Sequence, residues 1–143
     1  MIRKAQPADA GDAAALAAML WPDAEGLYGE LLELITRSDA AIFLKYEHER
    51  AVGFAQCQLR YDYVEGTDSS PVGYMEGLYI CEGFRRRGYA RELLAACEMW
   101  AKSLNCAEFA SDCELSNEDS LRFHLKTGFT EANRIICFTK SLK

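Results

Sequence analysis

Three consecutive arginines, Arg85, Arg86 and Arg87, run into Gly88, Tyr89 and Ala90 directly after an alternating stretch. A basic turn that ends in glycine and opens a helix builds a cradle for an anion. The first N–H groups of a helix lack intrahelical partners, the helix dipole adds positive potential there, and small residues let a charged group approach the backbone. The spacing Arg85-x-x-Gly88-x-Ala90 suits a pyrophosphate; standing alone, it equally describes a solvated basic turn capping a helix. Upstream, Glu76 sits in the middle of Tyr74-Met75-Glu76-Gly77-Leu78-Tyr79-Ile80-Cys81. A carboxylate in mid-strand is costly to bury unless it is used or paired, so Glu76 is either a proton acceptor or a structural partner of a neighbouring strand or arginine. Other chemistries are poorly supported. The six cysteines include no C-x-x-C pair and sit largely in apolar or alternating stretches, as reduced, buried small hydrophobes. None has a plausible base beside it in sequence, so no covalent nucleophile stands out. The two histidines, His48 and His124, are far apart, and no metal site is expected.

These residues need elements to position them. Alternation makes Tyr74 to Cys81 a strand with Tyr74, Glu76, Leu78 and Ile80 on one face and Met75, Gly77, Tyr79 and Cys81 on the other. The helix starting near Gly88 presents Ala90, Leu93, Leu94, Cys97, Ala101 and Leu104 along one side. Ahead of the strand, Ile2 to Gln6 is a short strand candidate. Asp9 or Asp12 is placed to cap an alanine-rich helix that stops at Pro22, and a second helix spans about Glu25 to Thr36. Ala41 to Tyr46 and Ala51 to Tyr63, joined by Glu47-His48-Glu49-Arg50, read as an antiparallel hairpin. The polar loop that follows, VEGTDSSPVG, is long enough to shape an entrance. Beyond the basic turn come a strand at about Ala107 to Asp112, a short helix capped by Ser116 or Asn117 and ending at Gly128, and a last strand from Arg134 to Thr139.

At 143 residues the chain reads as one domain, 1–143, able to bury a core without staples. With 50% hydrophobic and 27% charged residues it has the composition of a soluble globular protein. No apolar run approaches the roughly 20 residues that span a bilayer, and the opening MIRKAQPADAGD lacks a signal-peptide core. A cytoplasmic, membrane-free protein is expected. The net charge of −6 argues against nucleic acid as a partner and is compatible with a cationic ligand.

The order strand, Arg-x-x-Gly-x-Ala, helix resembles the acetyl-coenzyme A site of the GNAT superfamily of N-acetyltransferases. Asn117-x-x-Ser120-x-x-Phe123-His124-x-x-x-Gly128-Phe129 is similar to that superfamily's late Asn-x-x-Ala/Ser-x-x-Phe-Tyr-x-x-x-Gly-Phe. The element order resembles the GNAT fold over nearly the whole chain. The resemblance implies a mixed α/β (α+β) class with a mostly antiparallel central sheet flanked by helices. Four phrases look more narrowly like aminoglycoside 6′-N-acetyltransferases: LWPD (Leu20–Asp23), YVEGT (Tyr63–Thr67), SPVGYMEGLY (Ser70–Tyr79) and EFASD (Glu108–Asp112).

By that resemblance the chain transfers an acetyl group from acetyl-coenzyme A to the 6′-amine of an aminoglycoside, without a metal. Amides of Leu78, Tyr79 and Ile80 would pair with the pantetheine arm. Arg86, Arg87, Gly88, Tyr89, Ala90 and Arg91 would hold the pyrophosphate, and Asn117 would bond the arm. An N–H near Leu78 or Tyr79 would steady the carbonyl oxygen, and Glu76 would take the amine proton. Trp21, Tyr63, Glu76 and Asp112 would line the aminoglycoside pocket. His124 stands where many superfamily members carry a tyrosine thought to protonate the leaving thiolate, so the acid has no assigned residue. Asn133 stands where relatives carry an acidic residue near the substrate. A homodimer is implied, with the terminal strand crossing between subunits. The rivals are the same fold acting on another amine, such as a polyamine or a protein N-terminus, and a coenzyme-binding module without turnover.

Overall fold

The computed structural model describes all 143 residues. The chain runs β1 (Ile2–Lys4), α1 (Ala10–Leu20), α2 (Leu27–Thr36), β2 (Ala40–Glu47), β3 (Arg50–Arg60), β4 (Val72–Ile80), α3 (Tyr89–Ser103), β5 (Phe109–Ser111) and α4 (Glu118–Lys126). The five strands form one sheet in sequence order, antiparallel from β1 to β4, with β5 added parallel to β4. This is the expected mixed, mostly antiparallel sheet. No helix is long and apolar enough to cross a membrane.

Each face of the sheet is covered because the strands alternate and the helices carry apolar stripes. One face buries Ile42, Leu44 and Phe54 against Leu16 and Ala17 of α1 and Leu31, Leu34 and Ile35 of α2. The other buries Ala41, Ala55, Cys57 and Ile80 against Leu93, Cys97, Trp100 and Ala101 of α3. All six cysteines are free thiols, and that of Cys57 is pushed up by its neighbour Cys97 and by burial.

Several boundaries differ from the sequence expectation. Helix α1 is entered through a 3-10 turn, Pro7–Asp9, and neither aspartate caps it. Asp9 instead accepts from the Gln6 N–H at 2.8 Å and pairs with Arg3, while Asp12 accepts from the Tyr46 hydroxyl at 3.1 Å, tying α1 to the sheet. Strand β3 stops at Arg60, so Tyr61 and Tyr63 lie exposed in the following loop. The expected strand Arg134–Thr139 does not form. Residues 130–143 have no regular structure, and Ile135, Ile136 and Phe138 are 72%, 79% and 86% exposed. A strand needs a hydrogen-bonded neighbour, and no strand of the chain pairs with this segment.

The largest departure lies inside β4. Gly77 pairs with Gln56 and Met75 with Cys57, which leaves Glu76 as an extra, unpaired residue. Gly73 and Gly77 would share a face in an unbroken strand. Yet a Cβ on Gly73 would strike Ala101 of α3, whereas one on Gly77 would strike Trp21 at the end of α1. The bulge at Glu76 thus exchanges the faces. Tyr74 shares a cluster with Val64 and Val72, while Ile80, with Leu78 packed beside it, joins the α3 layer. The expectation that Tyr74, Leu78 and Ile80 share one side is corrected accordingly.

Candidate active site

The end of β4 and the start of α3 form the expected turn. A 3-10 turn at Glu82–Phe84 is closed by the Arg85 Nε, which donates to the Ile80 carbonyl at 2.9 Å. Arg85, though exposed, is therefore tied back to the end of β4. Arg86 adopts φ 64° and Gly88 φ 80°, both left-handed, which turns the chain sharply into α3. Gly88 occupies the N-cap and brings no side chain to it. The first N–H groups of α3, from Tyr89, Ala90 and Arg91, therefore have neither an intrahelical partner nor a side-chain cap. Arg86, Arg87 and Arg91 are exposed around them. Orphan amides, a helix dipole and free guanidinium groups fit a diphosphate.

The position of that helix start is fixed from the hairpin, by residues the sequence reading passed over. Lys45, buried within β2, places its ammonium 3.2 Å from Glu92 and 4.2 Å from the centre of the Tyr89 ring. The Tyr89 hydroxyl donates to Glu47, and Arg87 approaches the same carboxylate at 3.8 Å. A lysine inside the apolar run AIFLKY was the one sequence signal of this staple.

Strands β4 and β5 then provide an opening. Their parallel pairing covers only Gly73 to Met75 against Phe109 to Ser111. Past that point β4 continues to Ile80 with no strand on its β5 side, and Leu78, Tyr79 and Ile80 lie along this free edge. An extended, amide-bearing chain has room to pair there. Asn117 is the N-cap of α4: its side-chain oxygen accepts from the Ser120 N–H at 3.1 Å, which leaves its amide nitrogen free. His124 has both ring nitrogens engaged, Nδ1 at 2.7 Å from the Ser120 carbonyl and Nε2 at 2.9 Å from the Ser111 hydroxyl. It anchors α4 to β5.

Among the expected substrate residues, Trp21 packs edge-on against Phe54, with ring centres 6.0 Å apart, and lies over Gly77 beside the bulge. It is thus a core anchor beside the bulge. Glu76 is paired: both its oxygens accept from Arg60, Oε2 from Nε at 3.0 Å and Oε1 from Nη2 at 2.8 Å. The Arg60 guanidinium also lies 3.4 Å from the centre of the Tyr74 ring. The Tyr74 hydroxyl in turn donates to Asp112, which stands just past the end of β5 as expected. Burial, reinforced by the Asp112 bond, pushes the Tyr74 phenol well above its ordinary value, so it donates throughout the physiological range. Arg60, Tyr63, Tyr74 and Asp112 share the lining of a hollow of about 860 Å³, bordered on its far side by the terminal segment. Trp21 and Glu76 are not on that lining; Glu76 reaches it only through Arg60. Nothing local in the sequence marks Arg60, because its meeting with Glu76 depends on the bulge. No group of three or more His, Cys, Asp or Glu side chains is placed to hold a metal ion.

The chain matches the model of the acetyltransferase (GNAT) family over residues 12–129. An aminoglycoside N(6′)-acetyltransferase type 1 of Stenotrophomonas maltophilia is 40% identical over 143 residues, which cover 99% of this chain and 94% of the relative. A relative of the same name from Serratia marcescens is 40% identical, with 90% of each chain covered. The solved structure of aminoglycoside N-acetyltransferase AAC(6′)-Iy in complex with CoA superposes with a TM-score of 0.95 at 34% identity, covering 98% of this chain and 93% of that one. With a cradle at α3, an open edge on β4 and similarity of this extent, the chain belongs to the acetyltransferase (GNAT) family, in the branch of the aminoglycoside N(6′)-acetyltransferases type 1.

Proposed function

We propose that this protein transfers an acetyl group from acetyl-coenzyme A to the 6′-amine of an aminoglycoside by direct attack, with Glu76 as proton acceptor. The donor supplies an activated thioester carbonyl. The chain's own residues meet the remaining requirements: a proton acceptor, a preset donor to the carbonyl oxygen and alignment of the two reactants. The Tyr89, Ala90 and Arg91 amides, with Arg86, Arg87 and Gly88, hold the diphosphate. Leu78, Tyr79 and Ile80 pair with the arm along the free edge of β4, and Asn117 bonds it from α4. A backbone N–H near Leu78 or Tyr79 steadies the oxygen as negative charge gathers on it.

Trp21 and Tyr63 offer aromatic surface, and Glu76 and Asp112 offer charge, to a polycationic amino sugar. The observation that carries this reading is the joint placement of an orphan-amide cradle and the Glu76–Arg60–Tyr74–Asp112 chain at opposite ends of the β4 opening. A structure of AAC(6′)-Iy with the bisubstrate analog CoA-S-monomethyl-acetylneamine, 34% identical with a TM-score of 0.94, supports the same pairing of ligands here.

The protein acts in the cytoplasm as a homodimer. Its terminal segment adds to the open outer edge of β5 in the partner, which the exposure of Ile135, Ile136 and Phe138 supports. The deciding experiment presents acetyl-coenzyme A with aminoglycosides, polyamines and N-terminal peptides and measures thiol release. Release with 6′-amino aminoglycosides is expected, and release only with the other amines overturns the assignment.

A further inference from the structure

We propose that Arg60 is an internal stand-in for the substrate's ammonium: it occupies the anionic site of the free protein and withdraws when the aminoglycoside binds, handing over Glu76. This rests on the reading of Glu76 and Asp112 given above.

The geometry points to competition. A site for a cationic sugar needs carboxylates and an aromatic face, and Arg60 has taken all of these. It binds both oxygens of Glu76, lies flat on Tyr74, and through that phenol stands next to Asp112. A planar, weakly hydrated cation between two acids is the protein's own equivalent of the ligand. The groups bearing charge or a titratable proton around Glu76 are Arg60 and the buried Cys57 thiol on β3, Tyr74 on its own strand and Asp112 beyond β5.

Withdrawal is sterically open. Arg60 ends β3 and leads into the loop of Tyr61 and Tyr63, which is largely exposed. Its side chain is already 40% exposed, against 17% for Glu76. While Arg60 is bound, both Glu76 oxygens accept from its guanidinium and neither is turned to an amine. Once the substrate ammonium replaces it, a proton passes from that nitrogen to the Glu76 carboxylate. This leaves a neutral carboxyl and a neutral amine whose lone pair forms the C–N bond; the C–S bond breaks with its electron pair on sulfur, and the thiolate takes the nitrogen's second proton and departs as the free thiol. The carboxylate is thus freed only with an amine in place.

The test compares the whole protein with Arg60→Ala and Arg60→Gln, each checked for native near-ultraviolet dichroism. Calorimetry with kanamycin, without acetyl-coenzyme A, is expected to show binding tightened about tenfold in either variant, since no internal cation is left to displace. KM for kanamycin is expected to fall with kcat nearly unchanged, because Arg60 is already withdrawn in the complex. Binding unchanged or weakened in folded variants overturns the proposal and leaves the acetyltransferase assignment intact. A fall in kcat with KM unchanged likewise overturns it, because Arg60 then stays at Glu76 in the complex. Thiol release with kanamycin but normal turnover in Glu76→Gln removes the base role alone, and the calorimetric competition still decides Arg60. Absence of kanamycin binding in all forms overturns both.

Discussion

At the scale of single residues, Glu76 carries the most consequence, and Gly77 sits in a tight fit. Replacing Glu76 by Gln keeps its size and removes its charge. Turnover is expected to fall about 10²–10⁴-fold, the range for loss of a positioned base, with the acid limb of the pH–rate profile abolished. Unchanged kcat would remove Glu76 from the chemistry. Gly77 is defined by Trp21, because a Cβ there would lie 2.6 Å from the indole Cη2. Gly77→Ala is expected to cost about 1–3 kcal/mol through overpacking, read from the denaturant midpoint, and to raise KM for the amine as Trp21 is pushed aside. Trp21, Tyr63, Glu76 and Asp112 were nameable from the sequence because the phrases around them resemble a family. Arg60 was not, since no local pattern says which residue a bulged strand will bring opposite it. Lys45 was visible as a charge in an apolar strand, but its partners Glu92 and Tyr89 lie in another element.

At the scale of elements, the cradle and its staple make separable predictions. Arg86→Ala with Arg87→Ala is expected to raise KM for acetyl-coenzyme A roughly tenfold or more and to leave KM for the amine nearly unchanged, in steady-state assays at low salt. A larger effect on the amine would move the diphosphate elsewhere. Glu47 answers to pH. The Tyr89 hydroxyl bond, with Arg87 nearby, holds its carboxyl below the ordinary value. A lowered carboxyl stabilises the fold above the ordinary carboxylate range, and that contribution is lost as pH falls through the depressed value. Tyr89→Phe is therefore expected to lose less of its thermal midpoint than the native chain between neutrality and about pH 3. The hairpin, α2 and α3 were legible because their apolar periods are set by residues close in sequence. The bulge was not, because Tyr-Met-Glu-Gly-Leu-Tyr-Ile alternates smoothly in type while the hydrogen-bond register is set by β3. The tail Arg-Ile-Ile-Cys-Phe-Thr reads as a strand for the same local reason, and pairs with no strand of its own chain.

At the scale of the whole molecule, fold and charge were evident from the chain alone, and assembly was not. The apolar tail and the bare edge of β5 are complementary, so removing residues 130–143 is expected to convert a dimer to a monomer in sedimentation, with the core intact. Because residues from Thr130 to Ile135 border the 860 Å³ hollow, the same truncation is expected to weaken amine binding. A native chain that sediments as a monomer would refute the assembly. The extra residue at Glu76 also restricts where this chain tolerates changes of length. Deleting Glu76 would leave the pairing as it is, because Met75 and Gly77 already face consecutive residues of β3, but deleting the paired Leu78 would send Tyr79 toward α3 and carry Ile80 to the layer of α1. Every later side chain of β4 would then meet the wrong helix. Natural insertions, circular permutations and crossover points for recombined libraries therefore belong in residues 61–71 or past Phe129, and not within this strand.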